Sequence, residues 1–241
     1  MNKNRIITTV AVCIAIIIGA WFLSRGIKHF RGGYETISVT GVSERNITSD
    51  LIVWRLSINS RTPNGTEAFV KINTDTKIVV DYLEKQGIKG AEVVIKPVSV
   101  HEDVQTSWET AKRTSYGYIG TRTIEVKSSE VDKVEKAYQS ISDLYNQGVD
   151  LVLEAPDYYY TQMNELKMDM LREAAADAHN RALIIADGSG SSLGRAVSSS
   201  MGVFQIVALH GNEEFSWGGT FNTKSKEKTA TITVRTAYRL Q

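Results

Sequence analysis

The chain lacks the residues that usually build metal centres and disulfide frameworks. Its 241 residues hold a single cysteine and four histidines. One thiol cannot close a disulfide within the chain, and residues 34–241 contain no cysteine, so that region carries no risk of thiol oxidation in an oxidising compartment. His29, His101, His179 and His210 are far apart, with no second histidine or cysteine at ligand spacing, so no metal and no cofactor is predicted. A G-x-S-x-G nucleophile elbow is also missing. Neither a low-complexity tract nor a short-period repeat occurs, and 42% apolar with 23% charged residues is the balance of an ordinary folded protein.

A net positive charge is confined to the N-terminus. Lys3, Arg5, Arg25, Lys28 and Arg31 are the charges of the first 33 residues, and 28 basic groups less these five leaves 23 against 27 acidic in residues 34–241. A mildly acidic region without a basic stripe lacks the field that supplies affinity for phosphate backbones, so nucleic acid is excluded as a partner.

What is present starts with an uncharged run of eighteen residues from Ile6 to Leu23, IITTVAVCIAIIIGAWFL. As a helix it would extend about 27 Å, close to the thickness of a bilayer's hydrocarbon core. Ile6, Val10, Ile14 and Ile17 would face lipid, while Trp21 and Phe22 suit the lipid-water boundary and Arg25, Lys28 and Arg31 the headgroups beyond. A cleaved signal peptide has a shorter apolar region and a small-x-small site, whereas this run ends Trp-Phe-Leu-Ser-Arg. Cys13 follows Val12, where lipid-attachment sites carry a small residue, and reads as a small apolar side chain. Residues 1–33 are therefore read as a membrane anchor and basic linker, and residues 34–241 as a water-soluble domain. Basic residues flank both ends of the run, so charge alone does not orient it. A long C-terminal domain free of cysteine leans toward an inner-membrane, single-pass protein with its domain in the periplasm or otherwise outside the cytoplasm.

Past Gly32-Gly33 the pattern alternates between strand and helix. Thr36 to Arg61 reads as two strands or one bent strand with a break around Glu44 to Ser49. Thr66 to Gln86 reads as a helix with Phe69, Ile72, Val79 and Leu83 inward, stopped by Gly87. Strands follow at Val93 to Val100 and Tyr116 to Lys127, joined by a polar segment from His101 to Ser115. A helix from Ser129 carries Val131, Val134, Tyr138, Ile141 and Tyr145, and a strand runs from Val149 to Thr161. A longer helix from Gln162 to about Ala186 puts Met163, Leu166, Met170, Ala174, Ala178, Ala182 and Ile185 on one face. Ala196 to Leu209 and Thr229 to Leu240 close the chain as strands, with His210 to Lys228 a polar loop between them. The fold class is α+β, a mainly antiparallel sheet with helices on one side, βαββαβ in Asp50 to Thr161 followed by an αββ part that extends it or forms a second lobe.

Three stretches resemble the SIMPL domain family, also called DUF541. ISVTGVSERNITSDLIVWRLSINS is similar to its opening strand pair, with Val39, Gly41 and Asp50 in place. AAADAHNRALIIADGSGSSLGRAVSSS is similar to its alanine-rich helix motif, here Asp177-Ala178 and Ala182, then Gly190 and Leu193-Gly194. Ala68, Asn73, Gly87-Ile88, Tyr116 and Gly148-Val149 follow the pattern in between. The resemblance covers roughly residues 35–241. It implies an exported protein, in some members linked to stress tolerance and in some assembled as large ring- or channel-like homo-oligomers, and it carries no catalytic residues. The membrane run and the loop from His210 to Lys228 depart from the family pattern.

Few residues offer chemistry. The segment GSGSSLG at 188–194 follows a helix and precedes a strand, the reverse of a phosphate loop, so it reads as a helix C-cap with Gly188 or Gly190 left-handed. Asp50, Asp177 and Asp187 could serve as acid and base only if two were held across a cleft, and Asp50 reads as a turn or cap residue. His179 reads as a surface or helix-packing residue. Trp108 and Trp217 in polar loops and the run Tyr158-Tyr159-Tyr160 are candidate oligomer contacts, with ordinary core as the alternative for the tyrosines. The chain is thus expected to be a non-enzymatic, membrane-anchored envelope protein whose partners are the bilayer and other copies of itself. A ligand- or protein-binding envelope module built on loops 101–115 and 210–228 is the alternative, and a carboxylate-dependent hydrolase the second.

Overall fold

The computed structural model describes Ile14, residues 16–22, Ser24, and residues 35–106, 108–109, 112–212, 216 and 218–241. Ile14, residues 16–22 and Ser24 are helical and exposed. Among the described residues no helix is long and apolar enough to cross a membrane. Ile6, Val10 and Trp217 lie outside the described residues.

The chain forms two compact units, a larger one of Val42–Ala174 with Gly202–Thr233 and a smaller one of Met1–Gly41, Ala175–Met201 and Val234–Gln241. The elements are β1 (Thr36–Thr48), β2 (Leu51–Thr62), α1 (Gly65–Lys85), a short 3-10 turn (Gly90–Glu92), β3 (Val93–Ile95), β4 (Ser99–Thr106), β5 (Arg113–Ser128), α2 (Val131–Gln139), α3 (Ser142–Asn146), β6 (Asp150–Leu153), β7 (Asp157–Tyr159), α4 (Met163–Gly188), β8 (Leu193–Met201), β9 (Gln205–Ala208) and β10 (Glu227–Leu240). Of the two arrangements the sequence left open, the strands do not extend one sheet, since β1, β8, β9 and β10 pair among themselves and β2 to β7 make a separate six-stranded sheet.

In the larger unit the six-stranded sheet has the order β3-β5-β2-β6, with β4 also on β5 and β7 also on β2. That is the strand order of a split βαββαβ unit, as the sequence suggested for Asp50 to Thr161. Strand alternation decides its faces. Ile52, Trp54, Leu56 and Ile58 of β2 and Ile124 and Val126 of β5 point to one side, where they meet Ile72, Val79 and Leu83 of α1 and Val131, Val134 and Ala137 of α2. The opposite face is polar, with Ser57 against Thr123 and Asn59 against Thr121. Gly120 lets α1 approach closely, because a Cβ there would stand 2.9 Å from Ile72 Cγ1. The helix therefore rests on Ala68 and Ile72, and Phe69, expected inside, is exposed. Asn64 caps α1 through its side-chain oxygen and the Glu67 N–H.

Several predicted elements are interrupted for identifiable reasons. The helix expected from Ser129 splits into α2 and α3 at Ser140, whose hydroxyl donates to the Lys136 carbonyl and competes with the backbone ladder. The strand expected over Val149 to Thr161 breaks into β6 and β7 around Pro156, which has no N–H to pair. The strand expected over Ala196 to Leu209 breaks at Gly202, where a Cβ would stand 2.1 Å from Thr233 Oγ1. Conversely, β4 and β5 reach into the segment expected as a loop, leaving only residues 107–112 between them.

In the larger unit β9 pairs with the first half of β10, from Lys228 against Ala208 to Thr231 against Gln205. Leu166, Met170 and Ala174 of α4 are buried, as are Phe204, Ile206 and Ile232. In the smaller unit β8 pairs with the second half of β10 with two register shifts, and Val39, Ala178, Ala182 and Tyr238 form its core. The buried stripe of α4 steps by four, Met170, Ala174, Ala178, Ala182 and Ala186, so Ile185, expected inward, is half exposed. Gly190, with φ of 73°, takes the left-handed turn after α4, as the C-cap reading requires.

Candidate functional site

The aromatic candidates part company. Trp108, between β4 and β5, is 90% exposed. Tyr158 instead packs against the main core, and its hydroxyl donates to Glu135 Oε1 at 2.9 Å. Tyr159 is 37% exposed on β7 and Tyr160 half-buried beyond it. At the N-terminus Ile14, Ile17, Trp21 and Phe22 all expose more than half of their surface.

Tyr158 belongs to a polar network that sequence patterning did not reveal. The Lys226 ammonium donates to Asp132 and, at 2.8 Å, to Glu135, and Lys228 donates to the Tyr158 carbonyl. Burial, and next the hydrogen bond to Glu135, push the Tyr158 phenol up to about 12. Hydrogen bonds to Asp132 and then Glu135 hold the Lys226 ammonium above its ordinary range, and the hydrogen bond from Lys226 holds the Asp132 carboxyl below its own. Nearby, burial opposes ionisation of Asp157, but hydrogen bonds from Lys224 and Thr223 outweigh it and lower its pKa. Asp157 also accepts from Arg55 at 3.2 Å. A third cluster ties Glu92 to Ser128 and Lys133, with the serine hydrogen bond the main reason its carboxyl is held low. Partners in these networks are separated by 23 to 102 positions in the chain, so no local motif could have found them.

Beside this network an open cleft of about 610 Å³ is lined by Ser49, Asp50, Ser129, Val131, Lys136 and Lys226, among others. Ser49 is 4% exposed and its hydroxyl has no hydrogen-bond partner among the described residues. Asp50 is no free acid. Its two oxygens accept from the Thr161 N–H and hydroxyl, both at 2.7 Å, which ties the β1–β2 turn to a residue 111 positions further on where the sequence suggested a local turn or cap. Asp177 is engaged by Arg181 one helical turn away at 2.8 Å. His179 packs its ring 5.6 Å from that of Tyr238. Among the described residues no group of three or more His, Cys, Asp or Glu side chains could hold a metal.

A shallow groove of about 440 Å³ lies along α1, where Val70 stands among Thr62, Thr66, Thr74 and Glu67 beside the Lys71–Asp75 ion pair. Val70, 58% exposed, is the one wholly apolar side chain in its lining. It was missed because the predicted stripe of α1 pointed to the other side of the helix, and a single valine among threonines gives no periodic signal.

Comparison with curated proteins gives no match. A family model described as "SIMPL: Protein of unknown function (DUF541)" matches residues 37–236, which include β1 through most of β10. That span covers most of the 241 residues, and the chain belongs to the SIMPL (DUF541) family.

Proposed function

We propose that this SIMPL protein is a non-enzymatic component of the cell envelope, held in the inner membrane by its N-terminal run and assembled from copies of its own α+β domain. The observation that carries the reading is the N-terminal apolar run, uncharged from Ile6 to Leu23, in which Ile14, Ile17, Trp21 and Phe22 stand out from helical backbone with more than half of their surface exposed. Such side chains gain by leaving water, and the basic residues at both ends suit lipid headgroups. Exposed Trp108 supports self-association, because large exposed aromatics serve as anchors between subunits. The paired carboxylates at Asp50, Asp157 and Asp177 act as caps and ion-pair partners, which fits a scaffold. In this reading the domain lies outside the cytoplasm, and a link to envelope stress follows as a role for the assembly.

Fractionation tests the anchor and light scattering the assembly. The full chain should stay with membranes after carbonate washing and, in mild detergent at micromolar concentration, should have a mass of several protomers. Recovery in the supernatant would overturn the anchor, and a monomer mass would overturn self-assembly.

A ligand-binding role has one observation in its favour, the cleft of about 610 Å³ with the buried, unpaired Ser49 hydroxyl. Small-molecule sites commonly fall in this size range.

A further inference from the structure

We infer that the last turns of α4 lie against the bilayer, with Leu183, Ile184 and Ile185 sunk into the boundary between headgroups and acyl chains. The inference rests on the anchored reading above and gives the smaller unit a face toward lipid.

The apolar pattern of α4 turns inside out as the helix ends. Ala178, Ala182 and Ala186 fill the buried side, while Leu183, Ile184 and Ile185 occupy the outer arc at 38%, 72% and 50% exposure. In the two turns before, the outer arc carries Asp177, Asn180 and Arg181, side chains of the kind a helix shows to water. Methyl groups inside and three large aliphatic side chains outside are the arrangement of a helix with a second apolar medium beside it.

The place where the chain enters the smaller unit identifies that medium. The Leu240 N–H donates to the Glu35 carbonyl at 2.8 Å, Ser192 and Gln241 exchange both backbone hydrogen bonds, and the Ser191 N–H donates to the Ala186 carbonyl at 3.0 Å. The start of β1, the end of β10 and the end of α4 therefore meet at one end of the unit. Ile184 lies only about 6 Å of helix before Gly188, where α4 stops. Eleven residues, 24–34, separate this end from the apolar run, and they contain Arg25, Lys28 and Arg31 but no acid. Fully extended, they reach at most about 40 Å. A patch on so short a tether meets the bilayer at an effective concentration in the millimolar range, so three side chains suffice where an untethered protein would need a larger surface. Charges at this end are mixed, Glu35 and Asp187 with Arg195 and Arg239, so apolar burial rather than headgroup charge carries the contact.

Fluorescence quenching in vesicles tests this. The full chain, carrying Cys13→Ser and Gly188→Cys, is labelled at position 188 with an environment-sensitive fluorophore. It is reconstituted in vesicles of phosphatidylcholine and phosphatidylglycerol that bear a nitroxide on the headgroup. Gly188 suits the label because a Cβ there meets nothing within 4 Å. Emission should shift to the blue and be quenched. A label placed instead at Met201, 63% exposed and about 25 Å along β8 from Leu193, should show neither effect. Adding Ile184→Ser with Ile185→Ser should bring position 188 to the level of position 201, and circular dichroism and the urea midpoint should hold because both side chains are exposed. Quenching that survives the two serines would mean that the tether alone brings this end near lipid, and would overturn the docking. A blue shift without quenching, lost when vesicles hold fewer than one chain each, would put a second copy on the patch and overturn it too. An unquenched position 188 in a chain that floats with the vesicles would overturn the docking and leave the anchor standing, whereas a chain that does not float would overturn both.

Discussion

Tyr158 shows how one side chain can pass for a surface contact in sequence and turn out to hold a core together. Its ring covers the main apolar cluster, and its hydroxyl completes a network with Glu135 and Lys226. Removing that hydroxyl in Tyr158→Phe should lower the unfolding free energy at pH 7 by about 1 kcal/mol, the net worth of a hydrogen bond, measured by urea denaturation. The pH dependence has a defined sign. The phenol is raised to about 12 in the folded chain, so the unfolded chain loses the proton first. Stability is complete below the ordinary tyrosine range near pH 10 and is lost as pH rises toward about 12. Stability of the Phe variant should decline less over that interval, and equal slopes would mean that Tyr158 does not set it. Gly117 is the other residue with a private requirement. Its φ is 101°, and a Cβ would stand 2.5 Å from the Thr62 carbonyl oxygen. Gly117→Ala should cost about 2 kcal/mol or more, through left-handed strain and that contact together.

At the level of the element, α4 shows what an alanine stripe is for. Ala174, Ala178, Ala182 and Ala186 are fully buried, and in the smaller unit Ala178 and Ala182 pack with Val39 and Tyr238. A helix lined with methyl groups sits close to its neighbours, leaving no room for longer side chains. Ala182→Leu should therefore destabilise by about 1–3 kcal/mol, read as a lowered urea midpoint, whereas Ile184→Ala on the exposed side, where Ile184 is 72% exposed, should change the midpoint little. The stripe itself was legible in the sequence down to its alanines. Its last member was not, because Ile185 and Ala186 differ by one residue, and only the packed helix selects the less greasy of the two. The same limit explains Phe69, which hydropathy places inside and the close approach of α1 to Gly120 leaves outside.

For the whole molecule, the decisive question is where the apolar surface goes. A charged residue in the middle of a membrane helix costs about 2.5–3.5 kcal/mol. Replacing both Ile14 and Ile17 with Asp should thus move the protein from carbonate-washed membranes to the supernatant, assayed by immunoblot of the two fractions. Membrane retention of that double variant would argue against the N-terminal run as the anchor. Loss of membrane attachment need not disturb the domain, whose six-stranded sheet and main core are built from residues after Asp50.

The amino-acid sequence alone determined the family, the α+β class, the βαββαβ element order of Asp50 to Thr161 and a glycine C-cap after α4. Each is written in neighbouring residues: alternation for strands, spacings of three and four for helices, glycine where the chain must turn left-handed. Tertiary structure decided what depends on residues far apart in the chain. It settled that the strands form two sheets, broke long elements at Ser140, Pro156 and Gly202, gathered Lys226, Glu135 and Tyr158, and turned Tyr158 inward while leaving Trp108 in water. Local pattern reports which side chains prefer burial, but only the closed fold has a limited interior, and competition for it settles which of them are left outside.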